Sequence, residues 1–310
     1  MSCSTPVVFI IFRRPDLTAQ VFEAIRQAQP KKLLIVADGP RNGEETALCQ
    51  QARAITENID WNCEVIRNYS EVNLGCRDRV STGLAWTFEK VEEAIILEDD
   101  CLPHPSFFHY CEVLLEKYRF DTRIMQIGGN NSLCTPIDLK DSYYFSGLVH
   151  IWGWATWKRS WKLFDPSIKN WPIIKNEYPE ILDIFENPRK IKERIRTFDN
   201  VFEGKIDAWG YSWLFCVITQ HGLSILPSVN LVSNIGFRED AAHTTNSNSP
   251  RSNLPNREIG FPLNHPNFVI RSRSADQKYL RLDKAKNSLK FINFVQNSSA
   301  FKVLKDFFSR

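Results

Sequence analysis

The chain has 310 residues, 43% of them hydrophobic and 12% aromatic with nine Trp, and a formal net charge of +3. That is enough apolar surface for one large α/β domain with an appendage, and it excludes a chain disordered by composition. Ten Lys/Arg against three Asp in residues 271–310 place +7 in the tail and leave −4 (3 − 7) on the rest, so the main body lacks the basic face that a nucleic-acid partner requires.

The first apolar run, Pro6 to Phe12, predicts a strand over about 7–12. It is too short to span a bilayer and has neither a basic leader nor a cleavage site, so a cytoplasmic protein is expected. Pro15 and Asp16 open a helix whose Leu17, Val21, Ile25 and Ala28 fall on one face. Leu33 to Ala37 is a second strand, ending on Asp38-Gly39-Pro40, which makes a βαβ opening. A helix over about 44–58, a short strand from Cys63 to Arg67, the turn Asn73-Leu74-Gly75 and a helix over about 76–91 follow.

Ala94 to Leu97 has no polar member, as suits a strand covered on both faces of a parallel sheet, and it ends on Glu98, Asp99 and Asp100. Three adjacent carboxylates at the end of a buried strand need water, a partner or a cation. Oxygen ligands with room left for phosphate suit Mg2+ or Mn2+ better than zinc, although a solvated acidic loop is the plain alternative. A helix from Pro105 to about Tyr118 and a strand over 124–127 come next, the strand running into Gly128-Gly129-Asn130-Asn131. In doubly wound sheets ligands sit outside the carboxyl ends of the strands, so Arg13, Arg14, Asp38, Glu98 to Asp100, Asn130 and Asn131 are expected on one rim. The chain has no G-x-G-x-x-G and no P-loop pattern, so any phosphate is expected to be held through a metal.

From Tyr143 to Trp161 aromatics and glycines crowd together, including Trp152, Trp154 and Trp157. Core packing explains some of them; a carbohydrate site, with sugar C–H faces on aromatic rings, is the sharper reading. Residues 165–200 read as a charged helical excursion punctuated by proline. Asp207 then stands beside Trp209, Tyr211 and Trp213 before an apolar helix to Thr219, and Leu223 to Leu226 reads as the last strand. His243, in the polar loop 238–248, is either a metal or phosphate ligand or a solvated loop histidine. Lys284 to Arg310 reads as a basic amphipathic helix or helix pair that docks on its own domain or on a membrane surface. The eight cysteines, at 3, 49, 63, 76, 101, 111, 134 and 216, include no C-x-x-C pair and read as reduced, mostly buried thiols.

Taken together, strand 1 with its arginine, strand 2 ending in Asp38, Ile-Leu-Glu-Asp-Asp followed by Pro-x-x-Phe-Phe, the Gly-Trp segment and the Asp-x-Trp resemble an inverting GT-A glycosyltransferase. The pattern is similar to the N-acetylglucosaminyltransferase I type and to bacterial family-2-like proteins labelled haemolytic protein HlpA-like, over about residues 6–248. The resemblance implies an α/β GT-A fold, a Rossmann-like mostly parallel mixed sheet flanked by helices, with a C-terminal amphipathic helical tail. It divides the chain into a glycosyltransferase domain over 1–270, with a nucleotide-binding half (1–131) and an acceptor-side half (132–270), and a basic tail over 271–310. It also implies donor binding by Arg14, Asp38, Arg77, Glu98, Asp99 and Asp100, with Asp38 reading the nucleobase and Asp99 facing the ribose or sugar. Mn2+ or Mg2+ is expected on Asp100, with His243 as a second contact, and Trp152, Trp154 and Trp209 are expected on the acceptor. Where the eukaryotic enzymes carry two acids before the tryptophan, this chain has Asp207-Ala208-Trp209, so Asp207 is the expected base. The implied partners are a nucleotide-sugar donor, UDP-sugar favoured, and a glycan or lipid-linked glycan acceptor, with the tail as a possible peripheral contact at the inner face of the membrane. A sugar nucleotidyltransferase and a non-catalytic carbohydrate-binding or membrane-active protein are the competing readings.

Overall fold

The computed structural model describes residues 2–133, 140–238, 249 and 251–281. The first half alternates strand and helix: β1 (Val7–Ile11), α1 (Pro15–Ala28), β2 (Lys32–Ala37), α2 (Gly43–Ile55), β3 (Glu64–Tyr69), α3 (Gly75–Lys90) and β4 (Glu93–Glu98). A short β5 (Cys101–Pro103), α4 (Ser106–Lys117) and β6 (Ile124–Gly128) complete it. The second half holds β7 (Tyr143–Ser146), β8 (Trp154–Trp157), α5 (Lys158–Trp161), α6 (Trp171–Glu177), a 3-10 segment (Pro179–Phe185), α7 (Pro188–Phe202), α8 (Trp209–Thr219), β9 (Leu223–Pro227) and β10 (Val232–Asn234).

Eight strands form one sheet in the order β3-β2-β1-β4-β8-β6-β9-β7. The pairings β3-β2-β1-β4 and β6-β9 are parallel, while β8 is antiparallel to both β4 and β6 and β7 is antiparallel to β9. Six strands therefore run one way and β7 and β8 the other, a mostly parallel mixed sheet flanked by helices. Strands β5 and β10 make a separate antiparallel ribbon.

The pleat sorts the apolar runs onto two faces. Val7, Phe9, Ile11, Leu33, Ile35, Ala37, Ile95 and Leu97 pack under α1 and α4, against Val21, Phe22, Ile25, Phe107 and Leu114. Val8, Ile10, Leu34, Val36, Ala94 and Ile96 pack under α3 and α8, against Val80, Leu84, Phe88, Trp213 and Val217. Each Val, Leu, Ile or Phe among them contributes roughly 1.5–3 kcal/mol on full burial, which is why unbroken apolar runs form the centre of the sheet. A third layer lies outside α8, where Trp171, Leu182, Phe185, Phe198 and Val201 cover Leu214, Phe215 and Ile218.

Two expectations are corrected here. The Trp-rich segment is a core strand: β8 lies between β4 and β6, with Trp154 opposite Ile96 and Gly128. Leu223–Pro227 is not the last strand, since β10 follows and pairs with β5. The sheet passes through both expected halves of the domain, with β8 of the second inserted between two strands of the first. The tail, as far as Arg281, is anchored by Asp276, which is 2% exposed and accepts from Ser146 Oγ (2.5 Å), Gly147 N (3.0 Å) and Arg271 Nε (2.6 Å). The remainder of the tail, including the expected helix from Lys284, lies outside the described residues. Among the described residues no helix is long and apolar enough to cross a membrane.

Candidate active site

The parallel strands direct their carboxyl ends to one rim, and β4 delivers Glu98, Asp99 and Asp100 there. Asp99 is 2% and Asp100 8% exposed. Arg14, just ahead of α1, reaches both: its Nη2 donates to Asp99 Oδ1 and its Nη1 lies 3.0 Å from Asp100 Oδ2. The second oxygen of Asp99 accepts from the Phe12 backbone N–H at 3.3 Å. Burial works against the guanidinium, but Asp99 and Asp100 outweigh it and raise its pKa. Arg13 points away, to Glu45 of α2 at 3.2 Å.

Glu98 is the acid that cannot ionise freely. Burial first, then the charges of Asp100 and Asp99, push its carboxyl up to about 8, with Arg14 opposing. Three acids at the end of β4 thus face one guanidinium.

Asp207 comes to the same place from the other half of the chain. The thiol of Cys76 is driven up by burial and then by the charges of Glu98, Asp207 and Asp100, so acids from two segments lie near one residue. Asp207 Oδ2 accepts from Cys76 N (3.0 Å) and Oδ1 from Arg77 N (2.8 Å). Gly75 makes this approach possible. Its φ is +81°, and a Cβ there would stand 2.7 Å from Asp207 Oδ2, so a side chain would be strained and would collide.

Asp38 grips the other side of the same turn. It accepts from Gly39 N (2.9 Å), Leu74 N (3.0 Å), Gly75 N (3.2 Å) and Asn73 Nδ2 (2.9 Å). A carboxylate offers about four lone-pair directions, and here they are taken. Asp38, expected to read a nucleobase, holds the turn before α3 in this conformation. Burial raises its pKa while the bonds from Leu74, Gly39 and Gly75 work against that rise. Arg77 gives its backbone to Asp207 and its guanidinium to the neighbouring Asp78 at 2.8 Å.

The three expected acceptor tryptophans separate. Trp154 is fully buried, Trp209 is 2% exposed, and the two rings stack at 5.4 Å between centroids. Neither has a face for a ligand, so both are corrected to core residues. Trp152 is half-buried and meets Phe237 edge-on at 5.6 Å. The neighbouring Gly236 is in close contact with the Asp100 carboxylate, where a Cβ would fall 2.2 Å from Oδ2, so Trp152 belongs to this rim. His243 lies outside the described residues.

The sequence reading missed two parts of this arrangement. The backbone N–H groups of residues 74–77 act as a unit, for which Gly75 was a local signal. The histidine ahead of β8, His150, carried none.

No protein-family model and no curated protein matches the chain. Similar solved structures include UDP-glucose pyrophosphorylase complexed with UDP-glucose, at 14% identity and a TM-score of 0.35, covering 72% of this chain and 90% of that one.

Proposed function

We propose that the protein is a metal-dependent inverting glycosyltransferase, moving a sugar from a nucleotide-sugar donor, UDP-sugar favoured, to a hydroxyl of a glycan or lipid-linked glycan. The observation that carries this reading is the meeting of two strand-end carboxylates, Asp99 and Asp100, on one guanidinium, Arg14, at the rim. Asp99 accepts from Arg14 and the Phe12 backbone N–H, whereas Asp100 has Arg14 on Oδ2 and only the weak thiol donor of Cys101, at 3.4 Å, on Oδ1, so Asp100 is the carboxylate whose oxygens are held less strongly.

Among the described residues no group of three or more His, Cys, Asp or Glu stands ready to hold a metal alone. Mg2+ or Mn2+ bound through one or two carboxylates and the substrate's own phosphates needs no such cage, and the oxygen donor of Asp100 fits that pattern. When bound, the ion would neutralise charge developing on the leaving diphosphate. Arg14 would hold Asp99 and Asp100 in place for donor binding. Asp207, its orientation fixed by two backbone N–H groups and each oxygen keeping a lone pair, would take the proton from the acceptor hydroxyl, giving single displacement with inversion.

A thermal-shift and hydrolysis screen over UDP-, GDP- and dTDP-sugars, with and without Mn2+, tests this reading. Mn2+-dependent stabilisation is expected, and it should be lost in a folded Asp100→Ala variant. Undiminished binding in that variant would remove the metal role. Release of diphosphate from a nucleoside triphosphate and a sugar 1-phosphate would instead establish a nucleotidyltransferase.

A further inference from the structure

Along α3, leading away from the rim, an open groove of about 660 Å³ lies between the helix and the segment that follows β8. Its floor is aromatic. Phe88 and Trp161 are 3% and 5% exposed with ring centroids 6.1 Å apart, and Phe164 stacks on Trp161 at 4.3 Å. Ala85 and Pro166 complete the apolar lining. Ser81 and Glu89 line it eight residues apart on α3, so the groove follows the helix for about 12 Å, close to the reach of an extended octyl or decyl chain.

The polar groups on its walls are already engaged or in water. Ser81 Oγ donates to Arg77 O (2.5 Å) and Thr82 Oγ1 to Asp78 O (2.7 Å), while Lys158 Nζ pairs with Glu92 at 2.8 Å. Glu89 and Lys162 are exposed and keep their charged heads in solvent. A sugar pressed into this groove would strip water from its hydroxyls and find few donors in exchange. A hydrocarbon chain has no hydroxyls to satisfy and gains by leaving water for the aromatic floor.

Both walls lead back to Asp207. On α3, Ser81 lies one turn beyond Arg77, whose backbone N–H donates to Asp207 Oδ1 (2.8 Å). On the opposite wall the Pro166 carbonyl accepts from Ser212 Oγ (2.8 Å), in the first turn of α8, the helix that Asp207 precedes. We propose that this groove holds the hydrocarbon chain of a lipid-linked acceptor, whose sugar then lies toward Asp207. That the ligand is a hydrocarbon chain rests on the groove; that the chain belongs to the acceptor rests on the glycosyltransferase reading.

Calorimetric titration of the full chain with methyl, butyl and octyl β-D-glucosides, each below its micellar concentration and with UDP and Mn2+ present, tests the proposal. The sugar is constant, so only the chain varies. From butyl to octyl, Kd should fall roughly two- to fourfold for each added methylene. Ala85 is exposed on α3, so Ala85→Glu puts a charge into the groove on a good helix former, and Ala85→Trp fills it. In both variants the octyl and methyl glucosides should bind alike. Octyl glucoside binding no tighter than methyl, or a chain-length dependence that survives in both variants, would overturn the groove. A concentration-dependent dimer that Ala85→Glu dissolves would give the groove to a second copy and overturn it too. UDP-sugar binding is measured on the same samples. A protein that binds UDP-sugar but shows no chain-length dependence sinks the groove alone, whereas the dependence without UDP-sugar binding sinks the transferase reading and keeps the hydrocarbon site.

Discussion

Asp38 and Asp207 divide the N-terminus of α3 between them: Asp38 accepts from the backbone N–H of Leu74 and Gly75, and Asp207 from those of Cys76 and Arg77. The first turn of a helix leaves its N–H groups without intrahelical partners, and it attracts anions through the helix dipole. Two carboxylates from distant segments fill that role here, so this helix end is not free to bind phosphate.

This sharing sets the test for Asp207. Asp207→Asn keeps an acceptor oxygen for one backbone N–H and removes the proposed base. Transfer should fall by about 10²–10⁴-fold while Kd for the donor changes little, the signature of a group acting in the transition state. Transfer within a few-fold of the parent would show that Asp207 is a cap alone.

Gly75→Ala combines strain at φ +81° with a collision against Asp207. Unfolding in urea should show a loss of more than about 1 kcal/mol, because alanine at a positive φ reverses its usual gain over glycine. An unchanged midpoint would mean that the turn relaxes without cost.

Trp154 stacks on Trp209 and packs within about the same distance of Trp213, 5.5 Å between centroids. Trp154→Ala should destabilise the protein by roughly 3–5 kcal/mol, read as a fall in Tm. A variant with unchanged Tm and impaired acceptor binding would restore the ligand-contact role that burial argues against.

Glu98 gives a pH signature. Its carboxyl titrates near 8 in the folded chain against 4.5 ordinarily, so between those values the folded state holds a proton that the unfolded state has lost. Its contribution therefore declines as pH rises across that window, by at most about 1.4 kcal/mol per pH unit. Glu98→Gln should be more stable than the parent at pH 8, with the gap closing toward pH 5, as chemical denaturation at each pH would show. A gap that widens on acidification would contradict the neutral form.

The opening of the chain was legible because its signals are local. Val7–Ile11, Lys32–Ala37 and Glu93–Glu98 are apolar enough to be recognised without neighbours, Pro15 starts α1 unaided, and the acids after β4 are consecutive. The placing of Arg14, Glu98, Asp99 and Asp100 on one rim followed from strand ends, whereas the contact of Arg14 with Asp99 and Asp100 came only from the folded chain. Trp154–Trp157 was not legible as a central strand, since four residues rich in aromatics carry no period, and its burial comes from β4 and β6 closing on it from elsewhere in the sequence. The hydrogen-bond partners of Asp38, Asp207 and His150 were decided only in three dimensions. A carboxylate's chemistry depends on which N–H groups occupy its oxygens, and a histidine's on which of its nitrogens is left without a partner; both depend on segments far apart in the chain.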